Sequence, residues 1–176
     1  KEAKNGGKRK KYTLADLTLA KEKGEILEAT AYMCDSDHNL LVSLGEINGV
    51  IPRVEGAMGI AEGKTKEIAL ISRVGKSVCF TVEEIHTGEH PYALLSRKNA
   101  MKRCQEEFLG RLRTGDIIDA RITHLENFGA FCDIGCGNIA LLPIDSISVS
   151  RISHPRDRFN TGDDIKVIVK SIDSFG

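Results

Sequence analysis

Tryptophan is absent from this chain, and other aromatics are few: three Tyr and six Phe in 176 residues. With so few rings, two that fall close together stand out, and Phe128 and Phe131 lie three apart beside Gly129. Net charge is also lacking, because 25 Lys and Arg balance 25 Asp and Glu. That balance argues against a strongly basic, nonspecific duplex binder and leaves room only for local patches. No apolar run is long enough to span a membrane and no signal peptide is visible, so no membrane role is expected. The five cysteines (Cys34, Cys79, Cys104, Cys132 and Cys136) are odd in number and scattered in spacing. They read as reduced thiols of a cytoplasmic protein. Cys132 and Cys136 lack the further ligands a zinc site needs, so neither metal nor cofactor is expected.

Catalytic patterns are missing too. Gly63-Lys64-Thr65 superficially ends like a phosphate loop, but Met58 stands where that loop needs its first Gly, and no convincing strand precedes it. No Ser/His/Asp set or carboxylate pair stands out. The chain reads as a binding protein and not as an enzyme.

What is present begins with a basic, Gly-containing leader (Gly6-Gly7-Lys8-Arg9-Lys10-Lys11). A short helix follows, with Thr13 as N-cap, Asp16 three residues on and Gly24 as its end. Strand patterns then cover residues 25–32, 40–44, 50–52, 76–85 and 92–96. Residues 97–112 have helical spacing through Met101, Cys104, Phe108 and Leu112, with a supporting pair expected between Glu107 and Arg111. Strands resume over 116–125, 129–134, 139–142 and 164–172.

The two strand series read as one repeat. Gly24-Glu25-Ile26-Leu27 aligns with Gly115-Asp116-Ile117-Ile118, Leu44-Gly45 with Ile134-Gly135, and Val74-Gly75 with Thr161-Gly162. Five short strands with a long connection after the third suit a small Greek-key barrel of the OB type. The expected fold is therefore all-β: two five-stranded barrels joined by an α-helical linker. The divisions are a leader and helix (1–23), a first barrel (24–96), a linker (97–114) and a second barrel (115–176). The second stops before its fifth strand, so the chain is expected to be a fragment.

In a regular strand, residues three apart face opposite ways. A bulge or turn at Gly129, which accepts a positive φ without a Cβ penalty, would bring Phe128 and Phe131 to one face, where two rings side by side form a stacking platform for unpaired bases. The competing reading puts both rings in the core. Arg151, His154, Arg156 and Arg158 cluster in the long loop after the third strand of the second copy, where cations can hold phosphates. Equally, that loop can simply be solvated, and His154 before Pro155 can cap or turn the chain.

The series Gly115-Asp116-Ile117-Ile118, Phe128-Gly129-Ala130-Phe131, Asp133-Ile134-Gly135, His154-Pro155 and Gly162-Asp163-Asp164-Ile165 resembles the S1-type RNA-binding domain. Leu95-Ser96-Arg97-Lys98 before a helix resembles the junction between tandem domains of the ribosomal protein S1 family. The resemblance implies single-stranded RNA binding on one sheet face. Phe128 and Phe131 would be the exposed pair, Arg121 a basic position on the first strand and Asp173 an acidic position near the end of the fourth. Pro143 departs from it where many members carry His. The first copy departs further, since counting back along the repeat lands near His38 and Leu41. The resulting expectation is low-specificity binding of single-stranded messenger RNA in translation, by a cytoplasmic ribosomal protein S1 homologue. Its partners would be RNA and the ribosome or other RNA-processing proteins. The alternative is a protein-docking module with little RNA affinity.

Overall fold

A computed structural model describes residues 10–148 and 150–173. Most of the basic leader, residues 1–9, lies outside them. The chain divides into two compact units, Lys1–Lys102 and Arg103–Gly176.

The first unit opens with α1 (Leu14–Lys23), started by a Thr13–Asp16 capping box and ended by Gly24 in the left-handed region. Then come β1 (Leu27–Cys34), β2 (Leu40–Ser43), β3 (Asn48–Ile51), α2 (Ile68–Ile71), β4 (Ser77–His86) and β5 (Tyr92–Ser96). The five strands close into a barrel in the order β1-β2-β3-β5-β4, with β3 and β5 parallel. Alternation drives the closure: Ala29 and Ala31, Leu40 and Val42, Val78 and Phe80, Ala93 and Leu95 are buried at every second position. From α1, Leu17 and Ala20 join that core. The end of the leader is fastened to the same barrel, because the Tyr12 amide donates to the Leu44 carbonyl (2.6 Å) and its hydroxyl to the Glu28 carbonyl (2.8 Å).

Helix α3 (Arg97–Glu107) follows β5 without a gap. Buried Ser96 starts it, its Oγ accepting the Asn99 amide (2.9 Å) and donating to Glu55 Oε2 (2.5 Å). The helix is shorter than the expected span to residue 112. After Glu107 the chain tightens into a 3-10 turn over Leu109–Arg111, a stretch that contains Gly110. Arg111 thereby leaves the i,i+4 position, and Glu107 pairs instead with Arg103 (2.8 Å).

In the second unit, β6 (Ile117–Glu126), β7 (Gly129–Gly135), β8 (Asn138–Pro143) and β9 (Asp164–Ile168) form an unclosed sheet ordered β8-β7-β6-β9. Its core is Ala120, Ile122, Ala130 and Cys132, flanked by Leu125, Ile134, Leu142, Ile147, Phe159, Ile165 and Val167. The strand expected over 164–172 ends at Ile168, and pairing beyond it runs from Val169 to Gly115 and Asp116 (2.8 Å each).

The repeat extends to single hydrogen bonds. The Gly75 amide donates to the Ala31 carbonyl (2.7 Å), and the Gly162 amide donates to the Ile122 carbonyl (2.7 Å). Both glycines have positive φ, +81° and +95°. Each first strand is irregular at the matching place, between Ala31 and Met33 in one copy and between Ile122 and His124 in the other. The fold is thus one closed five-stranded OB-type barrel and one open four-stranded sheet of the same register, with a helical segment between them in the chain.

Candidate nucleic-acid interface

The β6–β7 hairpin builds the candidate face. Its loop is two residues long, Asn127-Phe128, closed by Glu126 opposite Gly129. The irregularity after Ile122 inserts one residue into β6, so Ile122 and Cys132 face the core while His124 and Phe131 stand opposite each other outside. On the other side of Phe131 lies Leu141 of β8. Phe128 reaches the same row from the loop. Its ring meets Phe131 edge-on, with centroids 6.0 Å apart and planes at 87°. His124 lies 6.2 Å from Phe131 with planes at 21°. Phe128 is 52% exposed and Phe131 half-buried, so neither ring belongs to the core.

Gly129 works differently from the expectation. Its φ is not positive, and the bulge lies in β6 across the hairpin. Gly is needed there because a Cβ would run into the Leu142 carbonyl of β8. The close approach lets Pro143 pair with Gly129 and the Phe128 carbonyl accept the Ile144 amide (2.9 Å).

Arg121 shares the outer face and lies opposite Asp133 of β7, two residues along from Phe131. Its guanidinium forks onto Asp164 of β9, Nε to Oδ1 at 2.8 Å and Nη2 to Oδ2 at 3.3 Å. The hydrogen bond first, and then the positive charge, hold the Asp164 carboxyl below the usual carboxylate range. At the next outward pair, two register positions along the ladder, the signs are swapped: Lys166 of β9 binds Asp119 of β6 at 2.7 Å. The His124 ring meets Glu126 at 2.6 Å.

The predicted loop residues are held by the loop itself. The His154 ring accepts the Arg156 amide (3.1 Å) and caps the short 3-10 turn Pro155–Asp157. Arg151 lines a shallow cleft with Ile152, Ser153 and Asp157. Arg156 is exposed, and Asp173 is exposed beyond the end of β9. The fold therefore brings Phe128, Phe131 and Arg121 onto one face, while Arg151, His154 and Arg156 stand on a separate loop. Sequence reading missed His124, Leu141 and Asp164 as members of the face. Residue spacing carries no sign of the inserted residue that turns His124 outward.

In the first barrel the equivalent register puts Leu41 opposite both Met33 and Val50, where the second unit has Phe131 opposite His124 and Leu141. That unit does have an exposed ring pair, elsewhere: His86 of β4 stacks on Tyr92 of β5, 4.6 Å between centroids and 13° between planes. Among the described residues, no group of three or more His, Cys, Asp or Glu is placed to hold a metal ion, and no helix is long and apolar enough to cross a membrane.

Strand order, register and an outward aromatic row define the second unit as an OB-type domain. Its kind is narrower still: the family model described as "S1 RNA binding domain" matches residues 111–174, so this unit is an S1/OB-fold domain. The chain is also similar to the small ribosomal subunit protein bS1 of Staphylococcus aureus (strain COL), 35% identical over 105 residues. That match covers 56% of this chain and 26% of the relative. The bS1 protein of Staphylococcus epidermidis is 34% identical over 104 residues, with the same 56% and 26% coverage. The chain thus spans about a quarter of the length of the curated relatives it matches. A solved structure, of a multidomain protein with nucleic acid binding domains from Streptococcus pneumoniae TIGR4, covers 86% of this chain and 48% of its own. It is 14% identical, with a TM-score of 0.33.

Proposed function

We propose that the second unit binds single-stranded RNA with low sequence specificity, stacking bases on Phe128 and Phe131. The observation that carries this reading is the exposed Phe128 ring set against Phe131 on the outer face. Rings so placed offer faces that any base can stack on, and stacking reads no base edge. Arg121 supplies a cation on that face, and Arg151, His154, Arg156 and Asp173 complete the proposed contact set. The match of residues 111–174 to the S1 RNA binding domain supports the assignment. The similarity to bS1 proteins extends it to a role in translation, as a cytoplasmic ribosomal protein S1 homologue with tandem S1-type domains over 24–96 and 115–176, joined by residues 97–114. Its partners are then messenger RNA and the ribosome. The chain acts by binding and not by catalysis.

The test is affinity for a fluorescent single-stranded RNA at two salt concentrations, for the wild type and for Phe128→Ala/Phe131→Ala. Stacking contributes about 1–3 kcal/mol per base, so the double variant should bind roughly tenfold or more weakly with its fold intact. Unchanged binding moves the role to the basic leader or the loop. Absence of binding in the wild type favours a protein-docking module instead.

A further inference from the structure

The two best-placed cations of the candidate face are both engaged by carboxylates of the neighbouring strand. Arg121 opposes Asp164 and Lys166 opposes Asp119 in consecutive outward pairs of the β6–β9 ladder. The bonds are 2.8 and 3.3 Å for the first pair and 2.7 Å for the second. The order of signs is reversed between the pairs, so this stretch of the face carries no net charge even though it holds an Arg and a Lys. All four side chains are more than half exposed, from 58% to 85%, so none is locked away from a ligand.

A phosphate that approaches Arg121 therefore meets a guanidinium whose Nε and Nη2 already point at Asp164. The phosphate must replace the carboxylate, an exchange of one anion for another with little net gain. An Arg already neutralised by its own protein also displaces fewer of the cations condensed on the strand, so its contact adds little to the salt dependence of binding.

We propose that Asp164, and with it Asp119, is an intramolecular competitor of the RNA phosphates. It sets the affinity of the face by occupying Arg121, and it leaves stacking on the rings as the main source of binding. The proposal rests on the single-stranded RNA reading above. On this view the face selects unpaired strands, since a duplex offers phosphates without exposed base faces.

The probe is a fluorescent oligouridylate, titrated over a range of salt against the full chain. Asp164→Asn should bind roughly two- to tenfold more tightly at low salt, where exposed charges are least screened. Its log-affinity slope against log salt should steepen by about 0.7, the increment for one more phosphate contact on a single strand. In the Arg121→Ala background, Asp164→Asn should lose most of that gain, because the effect passes through the guanidinium. The proposal is overturned if Asp164→Asn leaves affinity and slope unchanged. It is equally overturned if the gain persists in full without the Arg121 guanidinium, since Asp164 would then act only through its own charge. Phe128→Ala/Phe131→Ala, run alongside, separates the two failures. If the rings matter and Asp164 does not, only the competitor role falls. If the rings do not matter, or if neither the wild type nor Asp164→Asn binds, the RNA reading at this face falls as well. Thermal unfolding of each variant verifies that the fold is retained.

Discussion

His124 shows how one inserted residue redirects a side chain. By strict alternation it would share the inward face with Ile122. The irregularity between them instead sets it beside Phe131, with Glu126 on its ring nitrogen. In the first unit, Asp35 shows a side chain shaping a turn. Its Oδ1 accepts the amides of Asp37 and Asn39 (2.9 Å each), closing the β1–β2 turn where His38 sits at φ 63°. Bonds from Asn39, backbone first and then side chain, hold this carboxyl below the ordinary aspartate range. A depressed folded value stabilises above the unfolded value, about 3.9, and that stabilisation is lost as pH falls through the folded value. Asp35 should therefore titrate below an ordinary aspartate in a carboxyl-detected NMR titration. The thermal stability of the first unit should decline with acidification in that window, less steeply in Asp35→Ala. An ordinary titration midpoint would mean that the turn amides do not favour the ionised form.

The β6–β7–β8 meander is the element on which the candidate site depends. It tolerates no side chain at Gly129, because the obstacle is the Leu142 carbonyl, a backbone atom that cannot rotate away. Gly129→Ala should destabilise the second unit by about 1–3 kcal/mol, the usual cost of forcing volume into a filled space. For a domain of this size, that is a fall in melting temperature of roughly 4–8 °C per kcal/mol. Gly75→Ala makes a useful comparison. Its Cβ would meet nothing within 4 Å, and only the positive φ opposes it. That cost should be about 1–2 kcal/mol and should fall on the first unit. If Gly129→Ala unfolds at the wild-type temperature, β8 does not lie as close as described.

Across the molecule the two units differ in how their strands are finished. Every strand of the first barrel is paired on both sides, whereas among the described residues β8 and β9 of the open sheet are each paired on one side only. Among the described residues, the second unit's buried cluster is Ala120, Ile122, Ala130 and Cys132, much smaller than the first unit's, which includes Phe80, Leu17, Leu40 and Ile51. Backbone bonds open most readily where edges are free and little apolar surface is buried. In hydrogen exchange on this 176-residue chain, amides of β2 and β4 should be the slowest, and β8 and β9 should exchange well before them. Equal protection in β4 and β9 would contradict that ordering.

Much of this was legible in the chain itself. Paired glycines at Gly24 and Gly115, Gly45 and Gly135, and Gly75 and Gly162 marked the repeat, and all six have positive φ. Such glycines can be read in advance because their role is local: a conformation that other residues rarely adopt. Alternating apolar residues likewise announced the strands and their inward faces, and the two Phe beside a Gly announced the outward ring pair. The tertiary structure alone decided that Gly129 serves a close approach, that His124 and Leu141 join the ring row, and that Arg121 and Lys166 are matched by Asp164 and Asp119. Each of those depends on register between strands, which sets side chains up to 47 positions apart against one another. Periodicity tells which way a residue faces along its own strand, but only pairing with a neighbour determines what it faces.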